Sequence, residues 1–377
     1  MIRTILDINV LHTVPPSNLN RDDTGSPKSA VYGGVRRARV SSQAWKRAAR
    51  LAFNDVLEEE QLGVRTKRVV ELLGERIVAA DPEVSVERAQ ELAGLAFTTA
   101  GIKLGKSRKS TPEAPIPDES GYLLFLSSQQ LDNAARMCVD ANHADDAKAH
   151  LKGSGIKKAL DSNHSVDLAL FGRMVADASD LNVDAACQVA HAISVHPVEN
   201  EFDWFTAVDD HKSADDEEDA GAGMIGTVEF NASTLYRYAT VDVDRLAENL
   251  GDSAAARAAV EAFVRAFITS MPSGKQNTFA NRTLPDAVVL CIRETQPVNL
   301  VGAFEEAITE QPRLRVAAEA LANHAQETDQ NFGTAPAASW VVRTGVATEA
   351  LDVLGTRVAL DAAVAAVGEA VTSRLSN

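Results

Sequence analysis

Residues 226–243 read GTVEFNASTLYRYATVDV, rich in Val, Thr, Tyr and Phe and free of proline. Side chains of this kind suit a pleated sheet surface, so the stretch predicts a strand. Two more strands are expected around it. Ile2, Thr4, Leu6, Ile8 and Val10 alternate with Arg3, Asp7 and Asn9 across residues 2–12, the period of a half-buried strand. DAVVLCIR (286–293) reads as a buried strand. Between these lie blocks of another period. VRTKRVVELLGERIVAA (64–80) and VERAQELAGLAF (86–97) have helical spacing, and SSQQLDNAARMCVD (127–140) opens with a serine cap. Residues 181–197 are also expected to be helical. Strands and helices in unequal blocks predict an α+β fold, with a helical insertion and a long loop insertion in a strand–helix–strand core.

The totals bound the rest. A chain of 377 residues with 45% hydrophobic content can bury a sizeable core, in two or three domains or in one domain with large insertions. Cys138, Cys187 and Cys291 are far apart and form no CxxC pair, which predicts buried thiols rather than a disulfide framework or a cysteine zinc site. No run approaches the length of a membrane span, and MIRTILDINVLHTV lacks the pattern of a signal peptide. The expectation is a cytoplasmic protein with no membrane partner.

Charge is unevenly placed. The net formal charge is −16, yet residues 21–50 hold eight Lys or Arg against two Asp, a local +6 that leaves −22 for the remainder. Within that segment, YGGVRRARVSSQAWKRAAR (32–50) predicts a short strand, then a helix capped by Ser41 or Ser42. A step of 100° per residue groups Gln43, Lys46, Arg47 and Arg50 on one face, with Trp45, Ala48, Ala49 and Ala52 opposite. Helix N-termini favour anions. With Gly33 and Gly34 allowing close backbone approach, and Arg21, Lys28, Arg36, Arg37 and Arg39 nearby, the segment predicts a surface that tracks phosphates. Residues 199–219 are the opposite, with ten acids and one Lys.

Enzymatic signatures fail. Ser42 and Lys46 are four apart rather than three, GGVRR has no closing GK[ST], and His191 and His196 form no HExxH. Both histidines read as structural. The run DDHKSADDEED lacks the ligand spacing of a calcium loop. No metal and no cofactor is expected.

Six segments together carry a resemblance: SNLNRDD (17–23), YGGVRRARVSSQAWKRAAR (32–50), ALFGRM (169–174), AHAISVHPVENEFDWFTAVDD (190–210), STLYRYA (233–239) and PSGKQNTFA (272–280). The chain resembles, over essentially its whole length, the CasC family, the crRNA-binding backbone subunit of the type I-E CRISPR Cascade complex. The resemblance implies an RRM-like (ferredoxin-like) palm with a helical fingers insertion and a thumb loop or hairpin. Residues 1–59 would form the N-terminal palm, 60–180 the fingers, 181–197 a palm helix, 198–230 the thumb and 231–377 the rest of the palm. It further implies a non-catalytic protein, several copies of which form a helical filament on one crRNA, kink it at intervals and present the spacer for pairing with target DNA in an R-loop.

Carried over by position, Arg21, Lys28, Ser41, Ser42, Gln43, Lys46, Arg50, Lys275, Gln276 and Asn277 would contact the RNA. Met174, Phe205 and Thr206 would wedge at the kinked base. Partners would be crRNA, target DNA, further copies of the chain, the CasA, CasB, CasD and CasE families and, indirectly, a recruited helicase–nuclease. Two features depart from the family pattern. The acidic tip, residues 213–222, is expected to be mobile or to meet a basic surface on another subunit. The loop KLGKSRKSTP, with Lys103, Lys106, Arg108 and Lys109, is expected to reach target DNA. Two alternatives remain: a guide-processing endoribonuclease of related fold, with His12 offered as its base, and a general single-stranded RNA-binding module.

Overall fold

The computed structural model describes residues 3–111, 113–207 and 224–376, so the acidic run 209–219 and the tip 213–222 lie outside the described residues. The chain divides into two compact units, Met1–Ala52 with Val189–Thr240 and Phe263–Asn377, and Phe53–Gln188 with Val241–Ala262. The architecture is mixed α and β.

The first unit is built on a large mixed sheet. Eight strands follow in the order Thr356–Arg357, Ala338–Arg343, Ala287–Arg293, Ile5–Ser17, Met224–Asp242, Ala192–Ser194, Val35–Val40 and Ser29–Tyr32, and Glu201–Ala207 pairs with the outer part of the long strand. All three expected strands are present. Ile5–Ser17 runs antiparallel to Ala287–Arg293 with Ile8 opposite Leu290.

The first strand departs from the half-buried pattern, because Asp7 and Asn9 are buried along with their apolar neighbours. The helix Arg313–Phe332 lays Ala317, Ala318, Leu321, Ala322 and Ala325 into the core with Leu11, Val289 and Val341. Burial requires partners for the polar side chains. Asp7 accepts from Tyr238 Oη at 2.7 Å, Arg293 Nε at 2.9 Å and the Val298 amide at 3.0 Å.

Residues 181–197 are not a helix. They form two short strands, Cys187–Val189 and Ala192–Ser194. The second fills a gap in the sheet, with Ile193 opposite both Tyr236 and Arg39. Local apolar spacing suited a helix, but non-local pairing on both edges prevailed.

The second unit is helical. Val69–Ala80, Val86–Thr99 and Ser128–Asn142 pack through Leu73, Ile77, Leu92, Phe97, Leu131 and Cys138. Ser127 and Gln130 form a capping box at the third helix. Val241–Ala262, which the sequence division placed with the C-terminal palm, groups with this unit. All three cysteines are buried thiols that form no disulfide. No described helix is long and apolar enough to cross a membrane, and no group of three or more described His, Cys, Asp or Glu side chains is placed to hold a metal.

Two buried histidines of the sheet unit couple folding to pH. Burial, ahead of the nearby Arg237 charge, lowers His12 from 6.5 to about 3, and burial likewise lowers His196 to about 4. Unfolding restores the ordinary value, so the unfolded chain binds more protons than the native one below pH 6.5. Stability is therefore complete above that pH and declines as pH falls towards the folded values, by up to about 1.4 kcal/mol per pH unit for each histidine. Urea unfolding at pH 7 and pH 5 is expected to give a clearly lower midpoint at pH 5, and equal midpoints contradict neutral burial.

Candidate nucleic-acid interface

The site is assembled around the loop that joins the first two strands. Asp22 folds this loop on itself: its Oδ1 accepts from the Thr24 amide at 2.9 Å, Thr24 Oγ1 at 2.7 Å and the Ser26 amide at 3.0 Å. The Thr24 hydroxyl, ahead of the backbone donors, holds the Asp22 carboxyl below its ordinary pKa. Asn18 anchors the loop to the long strand by donating to Gly25 O at 3.0 Å and Glu229 O at 2.9 Å. Arg21 is left exposed and Lys28 half-buried.

Three other segments meet this loop. The strand Val35–Val40 joins through the Arg39 amide, which donates to Lys28 O at 2.9 Å. The helix Ser42–Ala52 is joined through the Ser41 amide, which donates to Asn20 Oδ1 at 2.9 Å. The loop of residues 272–280 joins through Gly274, where a Cβ would stand 2.6 Å from Asn18 O and would also strike Leu19 O. Lys275, next in the chain, has φ 49° and precedes the short helix Gln276–Phe279. The loop thus brings together the three segments that carry Arg21 and Lys28, Ser41, Ser42, Gln43, Lys46 and Arg50, and Lys275, Gln276 and Asn277.

Within the helix the expected faces hold. Trp45, Ala48 and Ala49 are buried, Gln43 and Arg47 exposed, Lys46 and Arg50 half-buried. Ser41 is the cap: it is 6% exposed, and its Oγ accepts from the Ala44 amide at 3.3 Å. Gln276 Oε1 accepts from Arg282 at 3.0 Å, and Asn277 is exposed.

Two expectations for the preceding turn need correction. Arg37 is fully buried rather than on the phosphate-tracking surface, donating to the carbonyls of Tyr32, Ser194, Phe304 and Glu305. Arg36 is exposed, as alternation along a strand requires. Gly33 does allow close approach, but to the Glu305 carbonyl of the same chain.

His191 is the residue that sequence reasoning missed. Because Val40 pairs with Ala192, His191 falls beside the start of the helix, where its Nδ1 lies 3.2 Å from the Ser42 amide and 3.4 Å from Arg39 Nη1. No local motif marks it. His12 is 1% exposed, with Nε2 2.9 Å from Thr283 Oγ1 and Nδ1 3.0 Å from Arg237 Nη1.

The aromatic residues expected at a wedge lie on the hairpin Glu201–Ala207 and Met224–Phe230. Phe205 is opposite Gly226, and its ring occupies the space that a Cβ there would need. Phe202, Trp204 and Phe205 are 62%, 73% and 38% exposed. Thr206 is exposed as well.

Met174 belongs to the helical unit. Arg173 points inward, donating to Leu181 O at 2.7 Å, Leu160 O at 3.0 Å and Asp161 Oδ1 at 2.8 Å. Val175 is 1% exposed, and between these two anchors Met174 is thrust out at 82%. The basic loop lines a cleft of about 1020 Å³ in the same unit, whose wall holds Lys103, Lys106, Arg108 and Lys109 together with Lys67 and Arg68. Lys103 pairs with Asp177 at 3.2 Å, and Arg68 with Glu71. Among the described residues, Lys67, Lys106, Arg108 and Lys109 form no ion pair.

Residues 6–366 match the profile of a family described as CT1975-like protein. The chain belongs to the CT1975-like family. A search of curated protein sequences finds no match. Among solved structures, a chain of a "CRISPR RNA-guided surveillance complex, pre-nicking" is 36% identical, with a TM-score of 0.81 over 96% of this chain and 99% of that one. A chain of a "CRISPR RNA-guided surveillance complex" is 30% identical, with a TM-score of 0.74 over 97% and 99%. The structural neighbours of this CT1975-like chain are thus subunits of CRISPR surveillance complexes.

The contact at Gly274 makes the assembly of the four segments testable in this family member. Gly274→Ala forces a side chain against backbone carbonyls that cannot turn away, a kind of overpacking that costs about 1–3 kcal/mol. The substitution is expected to lower the thermal midpoint by several degrees and to weaken single-stranded RNA binding more than Lys275→Ala does. An unchanged midpoint means that the two loops are not held together as described.

Proposed function

We propose that this chain is the crRNA-binding backbone subunit of a type I-E surveillance complex, a member of the CasC family. Several copies line one guide RNA in a helical filament, each gripping the backbone with an RRM-like palm. The observation that carries this reading is the convergence of Arg21, Lys28, Lys46, Arg50 and Lys275 around one ordered loop, on a chain whose net charge is −16.

A spacer of arbitrary sequence must be held without reading base edges, which are left for pairing with target DNA. Cations and exposed amides do this, because phosphate and ribose are the same at every nucleotide. Met174, Phe205 and Thr206 serve as the wedge at the kinked nucleotide, where an apolar or aromatic face tolerates any base. CasA-, CasB-, CasD- and CasE-type subunits cap and complete the assembly, and a helicase–nuclease acts on the bound target. Heterologous contacts between copies extend until a partner ends them.

The role is non-catalytic. The endoribonuclease reading needs a base at the scissile ribose, and the burial of His12, with both ring nitrogens engaged, speaks against His12 in that part. The basic cleft of the helical unit contacts target DNA, now with Lys67 and Arg68 added to the four cations of the loop.

The test is guide binding by the assembled complex across a salt series, wild type against Lys46→Ala. Log affinity should fall with log salt by about 0.7 per contacted single-strand phosphate. The variant, repeated in every copy, should flatten that slope, and an unchanged slope removes the helix face from the groove. Charge reversal at Lys106 and Arg108 should weaken duplex DNA binding and spare guide binding. Equal loss of both would assign the cleft to the guide instead.

A further inference from the structure

His191 is surrounded by cations yet makes no ion pair. Its neighbours are the Ser42 amide at the start of the helix, Arg39 from the adjacent strand and Lys28 from the loop. Amides and guanidinium groups can only donate, so Nδ1 is the acceptor for both contacts and the ring proton sits on Nε2. The ring is exposed, and among the described residues Nε2 has no hydrogen-bond partner.

Building on the RNA-binding reading, we infer that His191 is a further guide-contacting residue, which holds the Arg39 and Ser42 donors in the empty groove and yields them to a phosphate oxygen. The exchange follows from donor accounting. A phosphate beside Lys28 and Arg39 is a stronger acceptor than a neutral imidazole, since hydrogen bonds to a charged partner are about twice as strong as neutral ones. When it takes the Arg39 and Ser42 donors, Nδ1 is left without them. That nitrogen then binds a proton from solvent, and the resulting imidazolium offers two N–H donors next to the anion.

The local electrostatics agree with this exchange. Burial first, then the Arg39 and Lys28 charges, lower the His191 pKa from 6.5 in the empty chain. A phosphate neutralises those two charges and so raises it. The bound state holds more protons than the free state at mildly acid pH, and affinity must rise as pH falls through that window. Linkage makes the effect reciprocal: each unit of pKa rise on binding corresponds to about a tenfold gain in affinity.

The proposal is tested by fluorescence anisotropy with a labelled oligouridylate and the full-length chain, from about pH 8 to about pH 6 at fixed ionic strength. Wild type and His191→Gln are compared, because glutamine can both accept and donate but does not titrate. The wild-type affinity is expected to rise by up to about tenfold towards the acid end for each unit of pKa shift, and the variant is expected to show a flat profile. A parallel titration of the His191 ring by NMR should give a higher pKa with the oligonucleotide than without it. Equal pH profiles for the two proteins, or tight wild-type binding that ignores pH, overturn the role of His191 and leave the RNA-binding reading standing. No RNA binding at any pH overturns both.

Discussion

Arg237 lies fully buried between two aromatic rings, 3.7 Å from the centroid of Trp45 and 4.6 Å from that of Phe267. Among the described residues it has no carboxylate partner. Its Nη1 meets His12 Nδ1 and its Nη2 donates to the Phe267 carbonyl, while Nε has no hydrogen-bond partner among the described residues. The two π faces cover the planar group, and burial lowers its pKa to about 9. A desolvated cation over an aromatic face is worth about 2 kcal/mol or more. This contact ties the long central strand to the helix that carries Lys46 and Arg50, and His12 ties the same arginine to the first strand. The basic helix can present its polar face outward because Trp45 is held from behind.

The buried polar groups of the sheet unit share this logic. Arg37 ends on four carbonyls, and Asp7 is met by Tyr238, Arg293 and the Val298 amide. Each would be costly to bury alone, and each joins segments far apart in sequence. Removing one partner leaves a desolvated group, which costs more than the pair contributes. Under the proposed RNA-binding role, this rigidity places the cations before the ligand arrives.

The expected interface also shows how charge and position are separated. Of the three arginines in RRAR, the fold sends Arg36 to solvent, Arg37 to the core and Arg39 to the seam with His191. The cations that remain outward are gathered by a loop whose own shape depends on Asp22, Asn18 and Asn20. The polar residues between the cations are therefore as necessary to the site as the cations themselves.

Local pattern alone determined much of this. The strand at 226–243, the helix with Trp45 behind and Lys46 in front, its cap at Ser41 or Ser42 and the serine cap that opens 127–140 were legible because each depends on residues within one or two turns of one another. The grouping of cations in residues 21–50 was legible because charge is counted without a structure. Only the tertiary structure decided which polar residues are buried, since that depends on which helix covers which face of the sheet. It replaced the helix expected at 181–197 with strands, because Ile193 finds partners in both Tyr236 and Arg39, which lie far away along the chain. For the same reason it brought His191 to the start of the basic helix: strand register is a pairwise property, and one segment read by itself does not contain its partner.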